Sequence, residues 1–172
     1  MRVSRMVKAE RTAVYHAFLD PETLVSWLPP DTTRGQVHVF EACEGGKFRI
    51  SLSYQDPEHS PHGKPSDDTD TFQGRFVELV PYTKIVEVIE FESEDPGFGG
   101  EMRITVSLDD ADGGIKITML YEDIPRGIRP EDNERGSQSS LEKLATLLEA
   151  NGQDPRCHPQ QGIRGDGVKS GR

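Results

Sequence analysis

The sequence predicts an α+β fold, a curved antiparallel sheet of about seven strands with two short helices after the first strand and a long C-terminal helix packed across the concave face. Two observations predict it. Residues 37–121 alternate apolar and polar side chains with a period of two, which is typical of strands that bury one face. Residues 137–151 instead have the spacing of an amphipathic helix, with the apolar stripe Leu141, Leu144, Ala145 and Leu148. Because a sheet needs something to cover its apolar face, we expect this helix to pack across the concave side.

The composition indicates one domain followed by a tail. The chain has 172 residues, a net charge of −10 and a pI near 5.0, which argues against nucleic acid as a partner because phosphate binding needs clustered basic residues. Cys43 and Cys157 lie in unlike contexts, and no apolar run approaches the roughly 20 residues of a membrane span. We therefore expect a cytoplasmic protein without membrane insertion, with its domain at residues 1–151 and a disordered tail at residues 152–172.

The first part of the chain predicts one strand followed by two short helices. Residues 1–9 are rich in β-branched and apolar side chains, which favours a strand, and residues 12–19 have helical spacing. Asp20 and Pro21 indicate that a second helix begins there, and Pro29 ends it. The apolar residues of the two helices are Val14, Ala17, Phe18, Leu24, Trp27 and Leu28.

Six further strands follow in hairpin succession, at residues 37–43, 47–54, 71–79, 84–91, 101–108 and 115–122. Gly45 and Gly46 supply the backbone freedom for a tight turn, whereas residues 55–70 contain three prolines and indicate a long exposed loop. Pro130 and the two acidic residues after it suit a helix N-terminus. Such an antiparallel meander buries one face and exposes the other.

Several motifs resemble those of one known family. They are VYHAF at 14–18 with DP at 20–21 and WLPP at 27–30, GGKFRISL at 45–52, GRFVELVP at 74–81, EFE at 90–92, and IP at 124–125 with PEDNE at 130–134 and SLEKLA at 140–145. The sequence is similar over about residues 1–151 to bacterial members of the activator of heat shock protein 90 ATPase homologue-like family, within the SRPBCC superfamily. The resemblance implies the helix-grip fold of START domains, in which a sheet curves around the last helix.

Two positions depart from the family pattern. Many relatives carry Gly-Trp at the start of the last helix where this chain has Gly136-Ser137, and many end the last strand with His before an acid where it has Tyr121-Glu122. We expect both positions to face the cavity, which therefore differs from that of relatives in size and polarity. The eukaryotic activators also carry a separate chaperone-binding domain, for which we expect no room in this chain.

Twelve residues are predicted to line a cavity between the sheet and the last helix, with an ordinary core role as the alternative for each apolar one. They are Trp27, His38, Phe40, Phe48, Ile50, Phe72, Phe76, Met119, Tyr121, Ser137, Leu141 and Leu144. If His38 is in register with Phe40, it faces inward beside Tyr121, although a satisfied core histidine is the alternative. Ser137 and Ser140 either orient a ligand or lie exposed in the first helical turn.

Glu87 and Glu90 lie on opposite faces of one predicted strand, so one of them points inward. An inward carboxyl has a raised pKa and suits proton transfer. We favour the alternative that it pairs with an arginine such as Arg103.

No metal or cofactor is expected. His59 and His62, with Asp67, Asp68 and Asp70, lie in the proline-interrupted loop, which lacks a rigid scaffold for a metal site. The pair Cys157-His158 lies in the predicted tail and has no partner pair.

The preferred interpretation is a non-catalytic module that binds a small hydrophobic lipid or metabolite in a cavity of roughly 300 Å³ or more. The family resemblance supplies a chaperone-cofactor role as the first alternative. The second is a cyclase- or hydrolase-type enzyme that uses His38, Tyr121 or an inward glutamate as acid and base, and it fails if His38 and Tyr121 face opposite sides of the sheet. Self-association through a sheet edge stays open.

Overall fold

The computed structural model describes residues 1–30, 33–54 and 69–151. Their elements are β1 (Arg2–Val7), α1 (Arg11–Leu19), α2 (Pro21–Trp27), β2 (Thr33–Phe40), β3 (Lys47–Tyr54), β4 (Thr69–Val80), β5 (Lys84–Phe91), β6 (Met102–Ala111), β7 (Gly114–Glu122) and α3 (Pro130–Asn151). The strands form one antiparallel sheet in the order β1-β7-β6-β5-β4-β3-β2. The α+β helix-grip prediction is confirmed.

The concave face of the sheet carries the core. Along β6, the buried residues Met102, Ile104, Val106 and Leu108 alternate with partly exposed ones, as the period-two pattern predicts. In the central strands, Phe76, Glu87, Ile104 and Tyr121 are successive cross-strand partners and form one row across β4, β5, β6 and β7. This row matters because it places an acidic side chain in the middle of the apolar face.

Helix α3 covers this face through its leucine stripe. Leu141 and Leu144 are 1% and 0% exposed, and Ala145 and Leu148 are also buried. The helix begins at Pro130, where the two following acids favour a helix N-terminus. It lies closest to β1 at one edge of the sheet and also contacts α2, where Ser140 Oγ donates to the carbonyl of Leu28 at 2.8 Å. The expectation that the last helix packs on the concave side is confirmed.

Helices α1 and α2 cover the rest of the concave face, and polar contacts fix α1 to the sheet, join the two helices and cap α2. The Arg11 guanidinium donates to the carbonyls of Tyr82 and Leu108, at 2.6 and 2.8 Å. The buried indole N–H of Trp27 donates to the carbonyl of Ala17 at 3.0 Å and so joins α2 to α1. The side chain of Asp20 caps α2 by accepting from the Thr23 amide at 3.0 Å.

Two irregularities in the sheet change which side chains face inward. The register of β2 against β3 shifts between Val37 and Val39, and that of β4 against β5 shifts between Phe76 and Glu78. A β-bulge of this kind inserts one extra residue into a strand and re-aims the side chains near it. Strand β2 also begins at Thr33 and ends at Phe40, earlier than predicted from the alternation alone.

Candidate functional site

An interior cavity of about 40 Å³ lies between the concave face and the helices α1 and α2. It is lined by Phe18, Leu24, Trp27, Leu28, Phe40, Phe48, Ile50, Phe72, Phe76, Glu87 and Met119. Cavities that hold drug-sized ligands are roughly 300 Å³ or larger. The interior is therefore more completely filled by side chains than the sequence led us to expect.

The phenylalanines of three neighbouring strands form the aromatic wall of the cavity. The ring of Phe48 lies 5.1 Å from that of Phe76 and 6.5 Å from that of Phe72, and Phe40 lies 5.6 Å from Phe76. These tilted and edge-on arrangements are the ones that aromatic pairs prefer. Gly74 makes room for them, because a Cβ at this position would lie 2.5 Å from Cζ of Phe48 and 2.3 Å from the carbonyl oxygen of Val88.

Glu87 is the one titratable side chain that lines the cavity among the residues that the structure describes. Within the same residues, its carboxyl has no hydrogen bond and no ion pair. Burial raises the pKa of this carboxyl to about 7. The prediction that Glu87 forms an ion pair with Arg103 is wrong. Arg103 is the cross-strand partner of Val88, so its side chain faces the opposite side of the sheet.

Tyr121 and Ser137 lie beside the cavity and bond to each other. Ser137 Oγ is 2.8 Å from Tyr121 Oη and 2.7 Å from the carbonyl oxygen of Asn133. Burial raises the pKa of Tyr121 to about 12, the hydrogen bond to Ser137 opposes this shift, and the charge of Glu87 adds to it. This tyrosine therefore stays neutral at physiological pH. Ser140 is likewise buried, so the exposed alternative for these two serines is wrong.

The structure brings together seven of the twelve predicted cavity residues: Trp27, Phe40, Phe48, Ile50, Phe72, Phe76 and Met119. Tyr121, Ser137, Leu141 and Leu144 are buried but lie outside the lining. The prediction omitted Phe18, Leu24 and Leu28, although all three belong to the apolar positions of the two short helices. The binding role of the lining residues stays a prediction.

The inward placement predicted for His38 is wrong. The bulge between Val37 and Val39 lies at this residue, and its Nε2 lies 2.7 Å from Oγ of Ser51, which alternates with the inward-facing Ile50. Ser51 Oγ is also 2.8 Å from Oγ1 of Thr71. His38 therefore lies on the convex face, opposite Tyr121. The enzyme hypothesis that pairs these two side chains is excluded by this geometry.

In the described part of the chain, no group of three or more His, Cys, Asp or Glu residues is placed to hold a metal ion. Asp70 accepts a hydrogen bond from the Tyr54 hydroxyl at 3.0 Å. The other candidates, His59, His62, Asp67, Asp68, Cys157 and His158, lie outside the described residues, as does the predicted tail. None of the described helices is long and apolar enough to cross a membrane.

Comparison with known proteins identifies the family. Residues 8–149 match the family model described as "Activator of Hsp90 ATPase homolog 1-like protein". A crystal structure from Chromobacterium violaceum is 33% identical, with a TM-score of 0.76 over 87% of this chain and 96% of the other. No curated protein matches.

Two more distant structures support the fold alone. A protein from Rhodobacter sphaeroides is 19% identical, with a TM-score of 0.71 over 87% of this chain and 91% of its own. An AHSA1-like protein from Aeromonas hydrophila is 18% identical, with a TM-score of 0.66 over 92% of this chain and 99% of its own. With the family match and the Chromobacterium structure, the conclusion is that this chain belongs to the activator of Hsp90 ATPase homolog 1-like family.

Proposed function

We propose that this protein binds a small hydrophobic molecule in the interior cavity between the sheet and the two short helices. The observation that supports the proposal is that an aromatic wall and one carboxyl without a partner among the described residues, that of Glu87, line the same cavity. Apolar pockets with few polar groups are the usual form of small-molecule sites. Proteins with this fold also commonly bind hydrophobic ligands.

The size of the cavity sets a condition on binding. A space of about 40 Å³ holds roughly three water molecules, so a larger ligand must displace side chains. Leu28, Phe40 and Phe72 are the lining residues best suited to move, because they are only partly buried and lose less packing. Trp27 is 1% exposed and hydrogen-bonded to Ala17, so it serves as a fixed wall.

The test is ligand detection with a matched pair of variants. Native mass spectrometry of the freshly purified protein looks for a co-purified small molecule, and thermal shift with a library of small hydrophobic compounds looks for stabilisation by binding. Ile50→Phe fills the cavity, whereas Ile117→Phe makes the same change in a buried residue outside the lining. Both variants lose stability through overpacking, by about 1–3 kcal/mol.

We expect only Ile50→Phe to abolish binding. If the two variants bind equally, the ligand lies elsewhere. A protein that carries no adduct and is stabilised by no compound contradicts the proposal.

The chaperone-cofactor alternative derives from the family description alone and stays a prediction. Its measurement is the ATPase rate of an Hsp90-type chaperone with and without this protein. A rate that does not change over a range of protein concentrations removes the alternative and leaves the cavity proposal untouched.

A further inference from the structure

We propose that the ligand of the interior cavity is a hydrophobic amine, bound as its ammonium ion with the nitrogen against Glu87 and the hydrocarbon part against the aromatic wall. This inference rests on the proposed function of the cavity and names the chemical class of its ligand.

The first argument is the isolation of Glu87. Buried polar groups in folded proteins almost always have a hydrogen-bond partner, and a buried charge without one is costly. Glu87 is half-buried, it lies between Phe76 and Ile104 in the cross-strand row, and no described residue donates to its carboxyl. An apolar side chain would fill this position at lower cost. A carboxyl there is explained if something outside the chain supplies the missing donors.

The second argument is the choice between classes of ligand. An ammonium group supplies both hydrogen-bond donors and the opposite charge, and such charge-assisted bonds are about twice as strong as neutral ones. A carboxylate ligand would be repelled by ionised Glu87. A neutral ligand with a carbonyl group would bond only to the protonated acid. No Lys, Arg or His lines the cavity within the described residues, so the chain itself provides no counter-charge.

The third argument is the surroundings of the acid. Phe76 is the direct cross-strand neighbour of Glu87, and the rings of Phe48 and Phe40 lie 5.1 and 5.6 Å from that of Phe76. Aromatic rings attract a cation within about 6 Å of the ring face. The net charge of −10 also favours the approach of cations over anions. The site therefore combines the two features that recognise an organic ammonium ion, an acid and an aromatic wall.

The experiment compares three probes of nearly equal size, benzylamine, benzyl alcohol and benzoate, by isothermal titration calorimetry at pH 7.5. We expect the protein to bind benzylamine about tenfold or more tightly than benzyl alcohol, and benzoate least tightly. Glu87→Gln keeps the size of the side chain and removes the charge. It should abolish the preference for the amine while benzyl alcohol still binds.

The matched control is Glu90→Gln, which makes the same change on the same strand at an exposed residue of the opposite face. It should leave the preference unchanged, and an equal loss in both variants would indicate an effect of overall charge and overturn the inference. Equal binding of benzylamine and benzyl alcohol by the unmodified protein would also overturn it and leave the cavity proposal standing. Failure of all three probes to bind would overturn the inference, whereas the cavity proposal is decided separately by the search for an adduct and the compound library. Thermal melts of each variant confirm that it is folded.

Discussion

The two faces of the sheet differ in whether their charged side chains form ion pairs. On the convex face, Arg49 forms a two-point ion pair with Glu92 at 2.7 and 2.9 Å, and Arg75 pairs with Glu101 at 2.6 Å. On the concave face, Glu87 has no partner among the described residues. The charges of the convex face are explained by surface pairing and solvation. The half-buried carboxyl of the concave face has no such partner among the described residues, and this is the basis of the proposal that it recognises a ligand.

The largest expected effect is a loss of stability when a side chain packed on the concave face is truncated, compared with the same change on the convex face. Phe76→Ala removes a ring that is 1% exposed and should lower the free energy of unfolding by about 3–5 kcal/mol, because it leaves a cavity in the aromatic wall. The adjacent Val77 is 40% exposed at the bulge, and Val77→Ala should change stability by about 0.5 kcal/mol or less. Urea denaturation measures both. Similar losses in the two variants would contradict this assignment of faces.

The second prediction concerns the pH dependence of stability. The pKa of Glu87 is about 7 in the folded protein and near its ordinary value of 4.5 in the unfolded chain, so the folded state binds the proton more tightly. Its contribution to stability is therefore full below pH 4.5 and is lost as the pH rises through 7. The loss amounts to roughly 3 kcal/mol, at about 1.4 kcal/mol per pKa unit.

Glu87→Gln should remove this loss, and Glu90→Gln should not. The measurement is the free energy of unfolding of all three proteins between pH 4.5 and 8. A difference between the unmodified protein and Glu87→Gln that does not change with pH would show that the carboxyl is solvated or paired.

The third prediction compares two glycines. Gly74→Ala places a methyl group against Phe48 and the Val88 carbonyl, so it should destabilise the fold by about 1–3 kcal/mol and disturb the cavity wall. Gly136 lies within α3 and has nothing within 4 Å of an added Cβ. Gly136→Ala should therefore stabilise the protein by about 0.5–1 kcal/mol. Thermal unfolding distinguishes a lower melting temperature in Gly74→Ala from a higher one in Gly136→Ala. A stabilised Gly74→Ala would contradict the close packing of the aromatic wall.

The smallest expected effect is on the convex face. His38→Ala removes the hydrogen bond to Ser51, but Ser51 keeps Thr71 as a partner, so the cost should be about 1 kcal/mol or less. Benzylamine affinity should stay the same as in the unmodified protein. Chemical denaturation and calorimetry measure the two quantities. A large fall in benzylamine affinity would show that His38 contributes to the binding site.

The sequence analysis placed correctly those residues whose orientation follows from the alternation of side chains along a strand alone. Phe48, Ile50, Phe72 and Phe76 share a face because side chains in a strand alternate, whichever strand is the neighbour. His38 was misplaced because a bulge adds one residue without changing the visible pattern of apolar positions. The partner proposed for Glu87 was wrong for a different reason, since Arg103 alternates with the inward-facing Met102 and Ile104 and so lies on the opposite face in any register.

By itself, the sequence determined the order of the elements, the apolar face of each strand and the helix that covers the sheet. Local periodicity encodes these features, because a strand repeats every two residues and a helix every 3.6. Only the tertiary structure decided the volume of the cavity, the outward position of His38 and the isolation of Glu87. These properties depend on the fit of side chains from many distant segments, and no local pattern contains that information.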